Sequence, residues 1–142
     1  MKRIIVACLS VAAAMIIVLI AAFTYKTKYC KTEVLQSVSP DERFNLIIYM
    51  TGEPEWPFGP THCKYDFCEG KRILEKYSDT IFNDGKIAVP EDFEISWQED
   101  CVNLIVHGEE QEDKGITFFF DGSKTKVSTD NYEIQKLKFV LQ

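Results

Sequence analysis

Residue types that serve catalysis and metal binding are scarce in this chain. It has only two histidines, His62 and His107, and it lacks both a glycine-rich phosphate loop and a nucleophile elbow. An Asp-x-Asp-x-Asp-Gly calcium loop is also missing. Cys63 and Cys68 have a four-residue spacer, but the second close pair that structural zinc sites use is absent. The sequence therefore predicts no cofactor and no metal.

Clustered positive charge is lacking after the N-terminal segment. All 22 acidic residues follow position 29, whereas only 12 of the 16 basic residues do, so residues 30–142 carry a net charge of about −10. Nucleic acids and anionic lipid headgroups are recognised by clusters of lysine and arginine. The net negative charge therefore argues against either one as a direct ligand. The ordinary explanation of such a charge is that it keeps the domain soluble.

The N-terminus holds a long apolar run. Ile4 to Phe23 is a stretch of twenty residues whose only polar member is Ser10, and a helix of that length spans roughly 30 Å, the hydrocarbon thickness of a bilayer. We interpret residues 1–29 as an uncleaved signal anchor, with the bilayer as the partner of residues 4–23. Two alternatives stay open: a signal peptide cleaved after the Ile20-Ala21-Ala22 stretch, and a lipoprotein signal ending at Cys8.

Orientation rests on weaker signals. Lys2 and Arg3 precede the apolar run, and Lys26, Lys28 and Lys31 follow it, so the positive-inside rule hardly discriminates. A tail of three residues before the run favours a cytoplasmic N-terminus. We therefore expect a single-pass cell-membrane protein whose domain, residues 30–142, lies outside the cytoplasm.

The cysteines give a second hint in the same direction. Cys8 lies within the apolar run, whereas Cys30, Cys63, Cys68 and Cys101 form an even set in the domain. An even set in an oxidising compartment favours disulfides. We expect at least one, preferably between Cys63 and Cys101, because both lie in predicted core strands; the connectivity stays open.

Apolar residues in the domain alternate with a period of two, which is typical of strands. Turn signals at Ser39–Glu42, Glu69-Gly70, Asn83–Gly85 and Asp121-Gly122 separate these runs. The fold class is mainly β, an antiparallel β-sandwich or small barrel of about seven to eight short strands. Two segments depart from this pattern: Gly108–Gly115 is predicted to be a polar loop, and Tyr132–Leu141 an edge strand or a short helix.

A proline-rich loop carries the candidate binding residues. Residues 52–60 contain three prolines within seven positions, which forbids both a helix and a central strand. Trp56 and Phe58 on such a rigid loop are candidate contact residues, since exposed aromatic side chains are good anchors for binding. Alternatively, both rings fold back and close one end of the β core.

Two nucleophile–base pairs are conceivable from the sequence, Cys63 with His62 and Ser96 with His107. Adjacent strand residues point to opposite faces, so His62 is poorly placed to activate Cys63. We therefore expect a protein that is not an enzyme.

Several sequence blocks resemble those of a known group of proteins. The blocks are Ser39-Pro40-Asp41, Trp56-Pro57-Phe58-Gly59, Trp97-Gln98-Glu99-Asp100-Cys101-Val102, Gly108-Glu109-Glu110-Gln111 and Phe120-Asp121-Gly122. In this order they resemble small membrane-anchored proteins of unknown function from Gram-positive bacteria. The resemblance implies a cell-envelope protein with an all-β domain, and it carries over no catalytic or binding residue.

The favoured function is a membrane-anchored, extracytoplasmic binding module without enzymatic activity. A small cell-envelope hydrolase that uses His62 or His107 is the first alternative. A second is an immunity or inhibitor-type protein that protects its host from a secreted toxin.

Overall fold

The computed structural model describes residues 2–54 and 57–139. It consists of an N-terminal helix, α1, two four-stranded sheets and a C-terminal helix, α2. The helices are α1 (Lys2–Lys28) and α2 (Asn131–Phe139). Sheet A comprises β1 (Lys31–Val38), β2 (Phe44–Thr51), β3 (Thr61–Glu69) and β4 (Arg72–Ile81). Sheet B comprises β5 (Phe93–Trp97), β6 (Cys101–Gly108), β7 (Gln111–Phe119) and β8 (Lys126–Ser128), preceded by a 3-10 turn, Pro90–Asp92.

Every pair of neighbouring strands is antiparallel and consecutive in the chain, so each sheet is a simple meander. The predicted fold class is confirmed: the protein is mainly β and antiparallel, with an apolar helix at its N-terminus.

Alternation along the strands builds one core between the two sheets. Phe44, Leu46 and Ile48 of β2 are buried while their neighbours are partly exposed. The two sheets meet directly: the ring centroids of Phe67 in β3 and Phe118 in β7 lie 5.7 Å apart, and the ring of Phe44 stacks on that of Phe120, the residue after β7, with centroids 4.2 Å apart. Since aromatic side chains bury the largest apolar areas, such stacks supply much of the stability of the sandwich.

The predicted polar loop at Gly108–Gly115 is wrong. The turn occupies only Glu109 and Glu110, and β7 begins at Gln111. The charged residues of this stretch have partners inside the fold: Lys114 Nζ lies 2.5 Å from Asp79 Oδ2 of sheet A, and Asp113 contacts His107. A strand can hold charged side chains when each has a partner of opposite charge. The sequence shows that these residues are polar but not that they are paired, and it therefore predicted a loop.

Sheet B is covered on its outer face by α2. Ile134 of α2 is buried, and Leu137 lies so close to Gly115 of β7 that a Cβ at Gly115 would approach it to 3.0 Å. β6 is consequently buried on both faces, from Cys101 to Val106. The helix is one of the two structures expected for this C-terminal segment.

α1 is long and apolar enough to cross a membrane. Its candidate span, Cys8–Lys28, has a mean hydropathy of 2.4 and is not covered by the rest of the protein. β1 begins at Lys31, so only two residues separate the end of the helix from the first strand. This short connection places one end of the sandwich directly at the end of α1.

Candidate functional site

The candidate contact residue Phe58 lies on the connection between β2 and β3, and 68% of its surface is exposed. This exposure agrees with a contact role and not with a plug of the core. Trp56, the second candidate, lies outside the described residues. We refer to residues 52–54 and 57–60 as the β2–β3 loop.

A second loop supports this one. Gly85, in the β4–β5 loop (residues 82–89), has a φ of +71°, and a Cβ there would lie 2.9 Å from the carbonyl oxygen of Pro57 and 3.1 Å from Cα of Phe58. The two loops therefore pack backbone against backbone, an approach that only glycine permits. Thr61 reinforces the contact, because its hydroxyl donates to the carbonyl oxygen of Lys86 at 2.8 Å.

The end of α1 is held by the β2–β3 loop. The amide of Glu53 donates to the carbonyl oxygen of Thr27 at 2.8 Å, and the amide of Gly52 donates to that of Cys30 at 2.8 Å. The last carbonyl groups of a helix have no hydrogen-bond donors within the helix. Here the domain supplies a donor, the Glu53 amide, to one of them. Gly52 has a φ of +71°, and a Cβ there would overlap the carbonyl oxygen of Thr27. The joint between helix and sandwich is therefore tightly packed.

Open cavities flank this joint. One, of about 530 Å³, is lined by residues that include Phe23 and Lys28 of α1, Pro54 of the β2–β3 loop and His62 of β3. Another, of about 460 Å³, is lined by residues that include Lys26 of α1 and Ile87 of the β4–β5 loop. Both loops thus lie beside the last turns of α1.

The structure separates the sequence-adjacent pair His62 and Cys63. His62 is exposed on the outer face of β3, whereas Cys63 is buried in the core. Burial raises the pKa of the Cys63 thiol to about 12, and the carboxylates of Asp79 and Asp92 act in the same direction. Because the Cys63 thiol is protonated and lies on the opposite face of the strand from His62, His62 cannot act as the base that activates it as a nucleophile.

His107 has carboxylates at both ring nitrogens. Its Nδ1 lies 2.8 Å from Asp113 Oδ1, and its Nε2 lies 3.1 Å from Glu94 Oε1. Ser96, its conceivable nucleophile, pairs with Asn103, four residues before His107 on β6, and accepts a hydrogen bond from Gln98. Four strand residues correspond to roughly 13 Å, so this nucleophile–base pair is not assembled either.

The disulfide prediction is not supported. All five cysteines, Cys8, Cys30, Cys63, Cys68 and Cys101, are free thiols. The favoured pair is separated by the fold: Cys63 lies beside Met50 and Asp79 in sheet A, whereas Cys101 pairs with Phe119 in sheet B, at the end remote from α1. Cys63 and Cys68 share one strand at a separation of roughly 16 Å, well beyond disulfide reach.

Sequence reasoning missed the β4–β5 loop as part of this site. Ile87 is 55% exposed, and Phe82 and Val89 are exposed as well. The apolar residues on both sides of the Asn83–Gly85 turn were the available signal.

Comparison of the chain with protein-family models, curated proteins and solved structures finds no match. The resemblance to small membrane-anchored proteins of Gram-positive bacteria therefore stays a prediction.

Proposed function

We propose that this protein is a membrane-anchored, extracytoplasmic interaction module that binds a protein or an envelope component without catalysing a reaction. α1 is the anchor, the sandwich is the scaffold, and the β2–β3 and β4–β5 loops form the contact surface. The observation that carries the proposal is the exposure of Phe58 on a loop that is packed against the end of α1.

The rigidity of this surface supports a binding role. Pro57 and Pro60 flank Phe58 and fix the backbone φ angle near −65°, and Gly85 supports the loop from behind. Holding an aromatic side chain in place before binding lowers the ordering cost that association otherwise carries. The hydrolase alternative lacks comparable support, because neither of its two nucleophile–base pairs is assembled.

Photo-cross-linking from position 58 tests the proposal. The full-length chain, with a benzophenone amino acid in place of Phe58, is illuminated in native membranes. The control carries the same group at Val38, an exposed apolar residue at the far end of β1. We expect adducts with a protein or an envelope component from position 58 in excess of those from position 38. Equal labelling from both positions would contradict the proposed contact surface.

A further inference from the structure

The two loops of the contact surface present apolar side chains on the same end of the sandwich as α1. Phe58 and Ile87 are more than half exposed, and Phe82 of the same loop as Ile87 is nearly so. In a soluble protein, neighbouring exposed apolar side chains of this size mark an interaction site.

The position of these loops along α1 identifies the depth at which they lie. Pro54 lines a cavity together with Phe23, the last residue of the apolar run. Ile87 lines a cavity together with Lys26, one turn further on. When α1 spans a bilayer, its segment from Phe23 to Lys28 lies at the boundary between acyl chains and headgroups. The loops beside that segment therefore lie at the same boundary.

The end of α1 has the composition of a membrane interface. Tyr25 and Tyr29 are exposed, and their rings stack at 6.5 Å. Lys26 and Lys28 provide positive charge in the last turn. Aromatic residues together with lysines are characteristic of the level of the headgroups. Phe58 and Ile87 extend this belt from the helix to the domain.

We propose that Phe58 and Ile87 insert into the interfacial region of the bilayer that α1 crosses. The lipid is thus the envelope component bound by the loop surface, and the inference rests on the proposed membrane anchoring. The domain then rests on the membrane at three points: the helix and the two loops.

The charges at this end agree with a shallow insertion. Glu109 of the adjacent turn is paired with Lys86, whose Nζ lies 2.5 Å from Glu109 Oε1. Glu53 and Asp84 are exposed, so they stay hydrated among the headgroups. Apolar contact, rather than attraction to anionic lipid, holds the loops, which is consistent with the negative charge of the domain.

Tryptophan fluorescence in brominated lipid tests this contact in the full-length protein. The background variant is Trp56→Phe, which removes one of the two native tryptophans. Trp97 is kept because its Nε1 donates a hydrogen bond to Ser37 within the sandwich. Phe58→Trp is added to this background, and Val38→Trp is the matched control at the far end. Each protein is reconstituted into phosphatidylcholine vesicles brominated near the glycerol end of the acyl chains, and into unbrominated vesicles.

We expect the emission added by Phe58→Trp to be largely lost in the brominated vesicles, and the emission added by Val38→Trp to be retained. If the protein stays in the vesicles after an alkaline carbonate wash but Phe58→Trp is quenched no more than Val38→Trp, the loop does not contact lipid. In that case the anchoring stands, and the partner of the surface is a protein or an envelope component other than lipid. If the wash removes the protein from the vesicles, the anchoring itself is wrong.

Discussion

At the scale of single residues, burial decides which cysteines can react. Cys63 is buried beside acidic side chains, which raises the pKa of its thiol to about 12, and burial raises the pKa of Cys101 to about 11. Since the thiolate is the reactive form, both residues are inert in the native state. Their role is to fill space in the core.

We therefore predict that Cys63 resists alkylation at neutral pH until the protein unfolds. The measurement is mass spectrometry of the full-length chain after treatment with iodoacetamide, with and without denaturant. Cys30, which is partly exposed, is the internal control and should be modified under native conditions. Equal modification of Cys63 and Cys30 in the native protein would show that the core is not closed around Cys63.

The turn between β1 and β2 depends on one carboxylate. The Ser39 hydroxyl donates to Asp41 Oδ1 at 2.5 Å, and the Arg43 amide donates to the same oxygen at 3.2 Å. These two hydrogen bonds hold the pKa of Asp41 below its ordinary value of 3.8, and the bond from Ser39 has the larger effect. Since the pKa is lowered in the folded state, the stabilisation is fully present above the ordinary value and is lost as the pH falls through the folded-state pKa.

We predict that Asp41→Asn lowers the melting temperature at neutral pH and that its deficit shrinks below about pH 4, where the wild-type carboxylate is protonated. Circular dichroism melts across this range provide the measurement. Glu112→Gln, at an exposed position of β7, is the control for removing one negative charge. A deficit that stays constant with pH would contradict the role assigned to the ionised carboxylate.

At the scale of secondary-structure elements, alternation made most strands predictable. β2 and β3 have regular apolar positions because each packs one face on the core. β1 lacks such a pattern because it is an edge strand, in which every side chain from Lys31 to Val38 is exposed or only partly buried. Edge positions carry little of the apolar pattern on which a sequence-based prediction depends.

The candidate site was predictable only in part, for a related reason. The role of Phe58 as a candidate contact residue could be predicted from the local sequence, because the prolines on either side of it make the loop rigid. The contribution of Ile87 does not, because it reaches the site through the packing of Gly85 on Pro57 and the closeness of its loop to Lys26. Contacts between segments that are distant in the chain produce no local sequence pattern from which they could be predicted.

The joint between α1 and the sandwich yields a prediction with a matched control. Gly52 and Gly70 both have a positive φ, but a Cβ at Gly52 would overlap Thr27, whereas nothing lies within 4 Å of one at Gly70. Gly70→Ala should therefore cost about 1 kcal/mol of unfolding free energy through backbone strain alone. Gly52→Ala should cost about 1 kcal/mol more, because of the overlap.

Chemical denaturation of the full-length protein in detergent compares the two variants. Hydrogen exchange at the Glu53 amide gives a local readout, because this amide donates to Thr27. Exchange should accelerate in Gly52→Ala and stay unchanged in Gly70→Ala. Equal costs and equal exchange would mean that the helix and the domain are not packed together as described.

At the scale of the whole molecule, the short joint fixes which end of the sandwich adjoins α1. The β2–β3 and β4–β5 loops lie beside α1, whereas the turn around Asp41 and the turn at Asp121-Gly122 lie at the opposite end, where Arg43 and Asp121 line one cavity. In the proposed arrangement, a domain with a net charge of about −10 is held at the bilayer by its apolar end and directs its far end into solution.

The measurement that tests this account most directly is the side of the membrane on which the far end lies. Ser123→Cys places a thiol at an exposed position beside the Asp121-Gly122 turn, and Lys2→Cys places one before the span. Intact Gram-positive cells expressing either full-length variant are treated with a membrane-impermeant maleimide, and the wild type serves as the background. The account predicts that Ser123→Cys is labelled in intact cells and that Lys2→Cys is labelled only after lysis. Labelling of Ser123→Cys only after lysis would place the domain in the cytoplasm and contradict the proposed extracytoplasmic module.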